Sequence, residues 1–445
     1  MEMQAQNELK ESSKSGDRSW ATVSVVAGCL LLLLGASAAI GYLGLPLLSA
    51  GTDILGSQMG QMAAIFLGLG GGGLLFYHGQ NTLRGKPSAP ARLPPARFVV
   101  IVFAIVLGMG NVILNYEVAV DLLFPPLYLL SAALPTIGVL AWAGKRLSWP
   151  ISWRQGATAL VTGSTISVIV TFLLATAISA LFFILILPFE FLADSAEALL
   201  DLGGTGFLGR FVFSPYVIVL LVITALQAPI PEEFAKAIGP RFFNSRLQNE
   251  RQAFIIGLTA GAGFAILENM LYEGIYAQWN GWSWGGVTLL RAIGSVLHPL
   301  CTGIIAVALF RNRERAPGWF GRVGKAYLLS VGIHTLWNGG FDAFLYLTGI
   351  DYYGGIGRSL NLYGESITVA LVVYLVLLSL ILWWQLRKTV IGMSSEVEPT
   401  LQPVTVSARG LAFLAFASVL VIVPIGALLG PALGAIRHAL AIGIP

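Results

Sequence analysis

The chain has 445 residues, of which 56% are hydrophobic and only 11% charged, and its formal net charge is +4. Water-soluble proteins carry roughly 25% charged residues, so this composition excludes a soluble globular protein and indicates a membrane protein. The 26 Lys and Arg residues form no patch typical of nucleic-acid binding, so no nucleic-acid partner is expected.

Eleven apolar runs are long enough to cross a bilayer, since a membrane-spanning helix needs about 20 mostly apolar residues. The runs lie at residues 21–48, 59–78, 98–115, 121–144, 156–188, 211–243, 252–272, 287–310, 325–348, 365–386 and 410–430. Pro229 and Pro231 interrupt the sixth run. The pattern predicts an all-α, polytopic helical bundle of about 11 transmembrane helices, one of them broken.

The distribution of cations predicts the orientation of the chain. If the N-terminus is cytoplasmic, the inner segments hold 21 of the 26 Lys and Arg residues. This is the asymmetry that the positive-inside rule describes. We therefore predict a cytoplasmic N-terminus and an extracytoplasmic C-terminus. The other cations are Lys236, inside a span, and four that we assign to the outer side or to outer span ends: Arg210, Arg291, Arg358 and Arg437.

A run of glycines, residues 70–73, lies inside the second span. A phosphate-binding loop of this kind requires a following Lys and a helix N-terminus, and the run has neither. We interpret it as a place where two helices approach closely or where one helix is weak.

Polar side chains inside the spans are concentrated in the middle of the chain. Counted at about 1.5 Å per residue from the predicted inner edge, Glu232, Glu268, His298 and His334 lie about 14–24 Å deep. In a hydrocarbon core about 30 Å thick, four helices thus bring polar groups to a similar depth. Ionisable groups there usually mark function, so we infer one buried polar site.

The residues around the two prolines predict one side of this site. Pro229 and Pro231 place Glu232 and Glu233 in the first turn of a half-helix, whose dipole favours anions. Adjacent helical residues point about 100° apart, so one of the two carboxylates faces the site, and the sequence leaves open which one. Lys236 is spaced to pair with either of them.

Two later spans predict the other side. Small residues and a carboxylate share one helix face, formed by Gly257, Gly261, Phe264 and Glu268. Glycines on such a stripe allow a neighbouring helix to come close. Asn269 follows the carboxylate, and His334 and Asn338 are four residues apart, on one face of a further helix.

This set of residues can activate water. Glu232 is the candidate general base, and Glu268 shares its water. His334 and Asn338 can stabilise the oxyanion of a tetrahedral intermediate, while Lys236 and Glu233 support the electrostatics. Zinc is an alternative, with Glu232, Glu268, His298 and His334 as candidate ligands. The chain lacks an HExxH pair and a cysteine set, so the sequence commits to no cofactor.

The motifs, taken in order, resemble the PrsW family of intramembrane peptidases, which is related to the CAAX prenyl endopeptidases. The matching pieces are Glu232-Glu233-Phe234-Ala235-Lys236, Gly261 to Tyr272, His298, and His334 to Asn338. The resemblance extends over about residues 215–345. It implies cleavage of membrane-protein substrates, including single-span anti-sigma factors at their extracytoplasmic side. Both metal-dependent and metal-free mechanisms have been attached to this group.

Two other functions compete with a peptidase. Broken helices and mid-membrane carboxylates also occur in ion-coupled carriers, but a carrier is expected to show an internal repeat and a second broken helix. A non-catalytic scaffold does not need both acid and oxyanion groups. His298 precedes Pro299 and can instead satisfy a carbonyl that the proline frees.

The peptidase hypothesis divides the chain into four regions. These are a cytoplasmic tail (1–20), a five-helix membrane region (21–210), a core with the candidate catalytic residues (211–348) and C-terminal membrane helices (349–445). The lipid bilayer and a membrane-protein substrate are the expected partners. The sequence leaves open the substrate, the oligomeric state and the role of the flanking helices.

Overall fold

The computed structural model describes residues 2–48, 54–116, 119–178, 180–181, 226–243, 247–277, 281–353 and 357–394. Across these residues the chain is helical, and the only β contact is an isolated bridge between Pro90 and Ser152. The prediction of an all-α membrane bundle is confirmed.

Eight helices within the described ranges are long and apolar enough to cross a membrane. They are Ala21–Leu45, Leu55–Leu83, Ala96–Tyr116, Val120–Arg146, Trp153–Ile178, Glu250–Ala277, Gly281–Arg311 and Val369–Ser394. The predicted count of eleven is not confirmed. The run 410–430 lies outside the described residues, the run 211–243 is described only from residue 226, and the helix over 325–348 is not among the eight.

Six helices with fully described bounds lie in the first part of the chain, before the π-helical turn that ends at Ser167. They are α1 (Glu2–Leu48), α2 (Leu55–Ile65), α3 (Gly72–Leu83), α4 (Ala96–Tyr116), α5 (Val120–Arg146) and α6 (Trp153–Thr162). A π-helical turn, Phe66–Gly71, joins α2 to α3. A second π-helical turn, Gly163–Ser167, follows α6 within the span that ends at Ile178.

The glycine run packs against α1. A Cβ atom on Gly68 would lie 2.4 Å from the Cα atom of Gly35, and one on Gly72 would lie 2.6 Å from the Cβ atom of Leu31. Any larger side chain would force the helices apart, because real Cβ contacts are never this short. Within the run, close helix packing therefore holds at Gly72, while Gly70 and Gly71 belong to the π-helical turn and a Cβ atom on either would meet only ordinary contacts.

The described second half contains seven helices. They are α7 (Pro229–Lys236), α8 (Ile238–Phe243), α9 (Glu250–Ala277), α10 (Gly281–Ile293), α11 (Leu297–Arg311), α12 (Trp319–Tyr353) and α13 (Gly357–Ser394). A single 3₁₀ turn, Gly294–Val296, joins α10 to α11. The half-helix predicted after the proline break is confirmed, since α7 begins at Pro229, where proline's fixed φ suits a first turn.

Helix α9 is the central element of the site-bearing half. In its most apolar window, 83% of the residues are buried, mainly against α11, α5 and α6. A Cβ atom on Gly261 would lie 2.4 Å from the carbonyl oxygen of His298, and one on Gly257 would lie 2.6 Å from that of Thr302. The predicted glycine stripe therefore allows α9 to contact the backbone of α11 at His298 and one turn further along, at Thr302.

Two hydrogen bonds from other helices hold the short helix α7 in place. The hydroxyl of Ser167, in the second π-helical turn, donates to the carbonyl of Ala235 at 3.2 Å. The hydroxyl of Tyr327, on α12, donates to the carbonyl of Ile230 at 2.9 Å. One face of α7 buries Glu232, Glu233 and Lys236. The predicted four-region division of the chain stays a prediction.

Candidate active site

A fully buried ion pair lies at the base of the site. The ammonium of Lys236 is 2.6 Å from Glu233 Oε1, and both side chains are 0% exposed. The same ammonium is 3.6 Å from Glu232 Oε2. Charges removed from water are tolerated in this way only when they are paired. Helix α7 therefore carries two carboxylates and the cation that compensates one of them closely.

His334 distinguishes the two carboxylates. Its Nδ1 donates to Glu233 Oε1 at 2.9 Å, because a carboxylate oxygen can only accept. In the neutral ring Nε2 is then an acceptor, and this atom lies 3.7 Å from Glu232 Oε2. Within the described ranges, Glu232 Oε2 and His334 Nε2 have no hydrogen-bond partner. Glu232 thus faces the centre of the site, and Glu233 supports His334 from behind.

His298 connects the two halves of the site. Lys236 donates to its Nδ1 at 2.8 Å, so the neutral ring carries its proton on Nε2. That nitrogen lies 2.5 Å from Glu268 Oε2. The rings of His298 and His334 are perpendicular, with centroids 4.9 Å apart. Phe264 packs beside them, since its ring centroid lies 5.5 Å from that of His298 and 4.7 Å from Lys236 Nζ.

Arg291 is a member of the site that the sequence prediction missed. We assigned it to an outer span end, but it is buried, and its Nη2 lies 2.7 Å from Glu268 Oε2. Its Nε donates to the side-chain oxygen of Asn269 at 2.9 Å. The sequence does contain one signal for this role. Arg291 precedes His298 by seven residues, which is about two helical turns, so the two side chains would share one face of a continuous helix.

The structure brings eight of the nine predicted residues into one connected cluster. These are Glu232, Glu233, Lys236, Phe264, Glu268, Asn269, His298 and His334. Asn338 is buried one turn beyond His334, and no hydrogen bond joins it to another described residue of the cluster. The catalytic roles assigned to these residues stay predictions.

Three members of the cluster fit a metal ion. The ligand atoms of Glu232, His298 and His334 all lie within 4.8 Å of one another. Three protein ligands with one open position are typical of catalytic zinc, and the carboxylate of Glu233 behind His334 is the usual outer partner of a ligating histidine. Among the described residues, Glu268 is not part of this group, although we predicted it as a ligand. Its carboxylate is held by Arg291 instead.

A comparison with known protein families matches residues 153–381, more than half of the chain, to the PrsW family intramembrane metalloproteases. The chain belongs to the PrsW family. No curated protein and no solved structure matches it. The PrsW match is wider than the resemblance over residues 215–345, because it includes α6 and much of α13. Helix α6 belongs with the site, since its span supplies Ser167, which holds α7.

Membership of the PrsW family establishes the general activity. The chain is a multi-pass membrane peptidase, a hydrolase that acts on a membrane-embedded protein substrate. The ion-coupled carrier and the non-catalytic scaffold are therefore not supported.

Proposed function

We propose that this PrsW peptidase hydrolyses a peptide bond in or beside the transmembrane segment of a single-span, anti-sigma-factor-like protein, with Glu232 activating the water. One observation carries the proposal. Glu232 Oε2 is buried at the centre of the cluster without a hydrogen-bond partner in the described part of the chain. A buried carboxylate oxygen left in this state needs a ligand, and water or a metal ion is the chemistry that suits it.

In the proposed reaction, the carboxylate of Glu232 takes a proton from the attacking water, whose oxygen bonds to the scissile carbonyl carbon. The C–N bond then breaks as the proton passes to the leaving amine. Glu233 orients His334 by accepting from Nδ1, and Lys236 balances the charge of Glu233 while it donates to His298. Glu268, whose Oε2 lies 2.5 Å from His298 Nε2, would share this water as the second carboxylate.

A metal ion fits the same centre. Glu232, His298 and His334 would hold a divalent ion such as zinc, which supplies Lewis-acid polarisation of the scissile carbonyl when bound. His298 would first have to release Lys236 or Glu268, because each of its ring nitrogens already faces one of these two side chains. His334 is suited to this role as it stands, because its Nε2 is an acceptor in the neutral ring. Since Nδ1 of His334 donates to Glu233, Nε2 of the neutral ring carries no proton that it could donate to an oxyanion. We therefore assign stabilisation of the oxyanion chiefly to Asn338.

The depth of the site supports cleavage toward the extracytoplasmic side. Glu268 lies nine residues before the end of α9 at Ala277 and eighteen after its start at Glu250. These separations correspond to about 14 Å and about 27 Å along the helix. The start of α9 lies at the predicted cytoplasmic end, where Glu250 pairs with Arg311. Substrate cleavage is therefore proposed in the outer half of the bilayer.

The test compares membranes from cells that express wild type, Glu232→Gln or Glu250→Gln at equal protein levels. Quantitative proteomics of protein termini identifies ectodomains and truncated fragments. Glu232→Gln keeps the shape of the side chain and removes its charge, so the fragments should disappear. Glu250→Gln makes the same chemical change at the start of α9, where the carboxylate pairs with an exposed Arg311 and contacts no residue of the site. It should leave the fragments unchanged.

Fragments that depend on wild type and on Glu250→Gln, but are lost with Glu232→Gln, support the proposal and identify the substrates. Identical fragment sets from all three proteins contradict it. Fragments cut far from any transmembrane segment contradict the proposed position of the scissile bond.

A further inference from the structure

Arg291 is a buried cation that contacts three side chains of helix α9. Its Nη2 is 2.7 Å from Glu268, its Nε donates to Asn269 at 2.9 Å, and its guanidinium lies 4.6 Å from the ring centroid of Tyr272. The side chain is 4% exposed. A charged residue at this depth is costly, and in membrane proteins such residues usually mark function. The association of two helices does not by itself require a buried charged residue.

The charges of the site explain why a second cation is needed. Glu232 and Glu233 share Lys236, which is on their own helix. Glu268 is on α9, and within the described residues its only ion-pair contacts are with Arg291 and His298. Removing one partner of a buried pair leaves an uncompensated charge. The position of the Glu268 carboxylate therefore depends on Arg291.

The contacts of Glu268 are concentrated on one oxygen atom. Oε2 lies 2.7 Å from Arg291 Nη2 and 2.5 Å from His298 Nε2. Arg291 thus fixes the same oxygen that faces the imidazole ring. His298 is also held from its other side by Lys236, so its ring is clamped between two charged groups.

We propose that Arg291 is a positioning residue of the peptidase, which holds the Glu268 carboxylate against His298 and so keeps His298 aligned with Glu232 and His334. This inference rests on the proposed function. The bond to Asn269 adds to the effect, because Asn269 is itself anchored by donating to the carbonyl of Ala132 at 3.2 Å. Arg291 acts through Glu268, the carboxylate that it contacts directly.

The experiment measures fragment release from the substrate found by proteomics, at several substrate levels, for Arg291→Gln and Arg291→Lys. Arg291→Gln should lower kcat about 10–100-fold and leave KM within about twofold, as is typical when an outer partner of a catalytic residue is lost. Arg291→Lys should recover part of kcat, because it restores the cation without the second donor. The control is Arg251→Gln, which removes the other arginine that is buried among the described residues. Arg251 lies at the start of α9, far along the helix from Glu268, and its loss should change neither constant.

A double mutant separates positioning from simple helix attachment. If Arg291 works through Glu268, Glu268→Gln/Arg291→Gln should be no slower than Glu268→Gln alone. If Arg291 only ties α10 to α9, the two losses should multiply, and that result overturns the inference. If Arg291→Gln does not accumulate in the membrane, the test rests on Arg291→Lys alone. A kcat of Arg291→Lys equal to that of wild type then overturns the inference.

Failure of the proposed function has a different signature. In that case wild type and Glu232→Gln produce the same fragments, whatever Arg291 does. Fragments that require Glu232 but are released normally by Arg291→Gln leave the proposed function intact and overturn the role of Arg291.

Discussion

The adjacent carboxylates of Glu232 and Glu233 differ in their surroundings. Glu233 Oε1 lies 2.6 Å from Lys236 and 2.9 Å from His334, whereas Glu232 Oε2 is 3.6 Å and 3.7 Å from the same two side chains. A carboxylate held by two close donors is a support, and one whose nearest donors lie beyond hydrogen-bond distance is available to a ligand. The two glutamates should therefore respond differently to substitution.

Glu232→Gln should abolish turnover, with a loss of about 10²–10⁴-fold, because it removes the proposed base without a change of shape. Glu233→Gln should keep residual activity about 10–100-fold below wild type, because it weakens the orientation of His334. It should also destabilise the protein by about 3–5 kcal/mol, since it breaks a buried pair. Fragment release and thermal unfolding in detergent measure the two effects. Normal turnover by Glu232→Gln with an inactive Glu233→Gln would reverse the assignment.

Metal dependence can be tested on the same residues. If Glu232, His298 and His334 hold an ion, strong chelation should abolish activity, and added Zn²⁺ should restore it. Purified His334→Ala should contain less metal than wild type, while Glu250→Gln should contain the same amount. Elemental analysis of the three proteins measures this directly. Full activity in protein shown to be free of metal would leave Glu232 as a metal-free base.

The sequence predicted most of the site because its members share depth and helical spacing. Glu232, Glu268, His298 and His334 each stand out as polar residues inside an apolar run. Arg291 was missed because a cation near a span end is normally interfacial. Only the packing of α10 against α9 shows that its side chain turns inward. Which of Glu232 and Glu233 faces the centre depends likewise on the rotation of α7, which spacing does not determine.

At the scale of helices, the close contact between α9 and α11 sets the position of His298. The contact depends on Gly261, where any Cβ atom would lie 2.4 Å from the carbonyl oxygen of His298. Protein interiors transmit such a displacement, because packed helices have no free space to absorb it. The stripe was predictable from the sequence as a small-residue face, but its partner on α11 was not.

Gly261→Ala should push α11 away and lower activity at least about tenfold, in line with the sensitivity of catalysis to shifts of about 1 Å. Overpacking of this kind should also destabilise the protein by about 1–3 kcal/mol. The control is Gly332→Ala on α12, two residues from His334, where a Cβ atom meets nothing within 4 Å. Fragment release and thermal unfolding of both variants test this, and equal activity would show that α9 and α11 adjust without cost.

At the scale of the whole molecule, charge is distributed unevenly between the two ends of the bundle. The loop between α11 and α12 contains Arg313 and Arg315, and it follows Arg311, which pairs with Glu250 at the start of α9. The opposite ends of α9 and α10, around Ala277 and Gly281, carry no Lys or Arg over residues 272–290. This is the arrangement on which the predicted cytoplasmic N-terminus rests.

Cysteine labelling in intact cells tests this orientation. Glu314→Cys places a thiol in the exposed basic loop, and Trp282→Cys places one at the start of α10, where the native side chain is 78% exposed. Both are made in a chain with Cys29 and Cys301 replaced by serine, so that no other thiol reacts. A membrane-impermeant reagent should label Cys at 282 in intact cells and label Cys at 314 only after permeabilisation. The opposite pattern would invert the bundle and place Glu268 in the cytoplasmic half, which would contradict extracytoplasmic cleavage while leaving the geometry of the site unchanged.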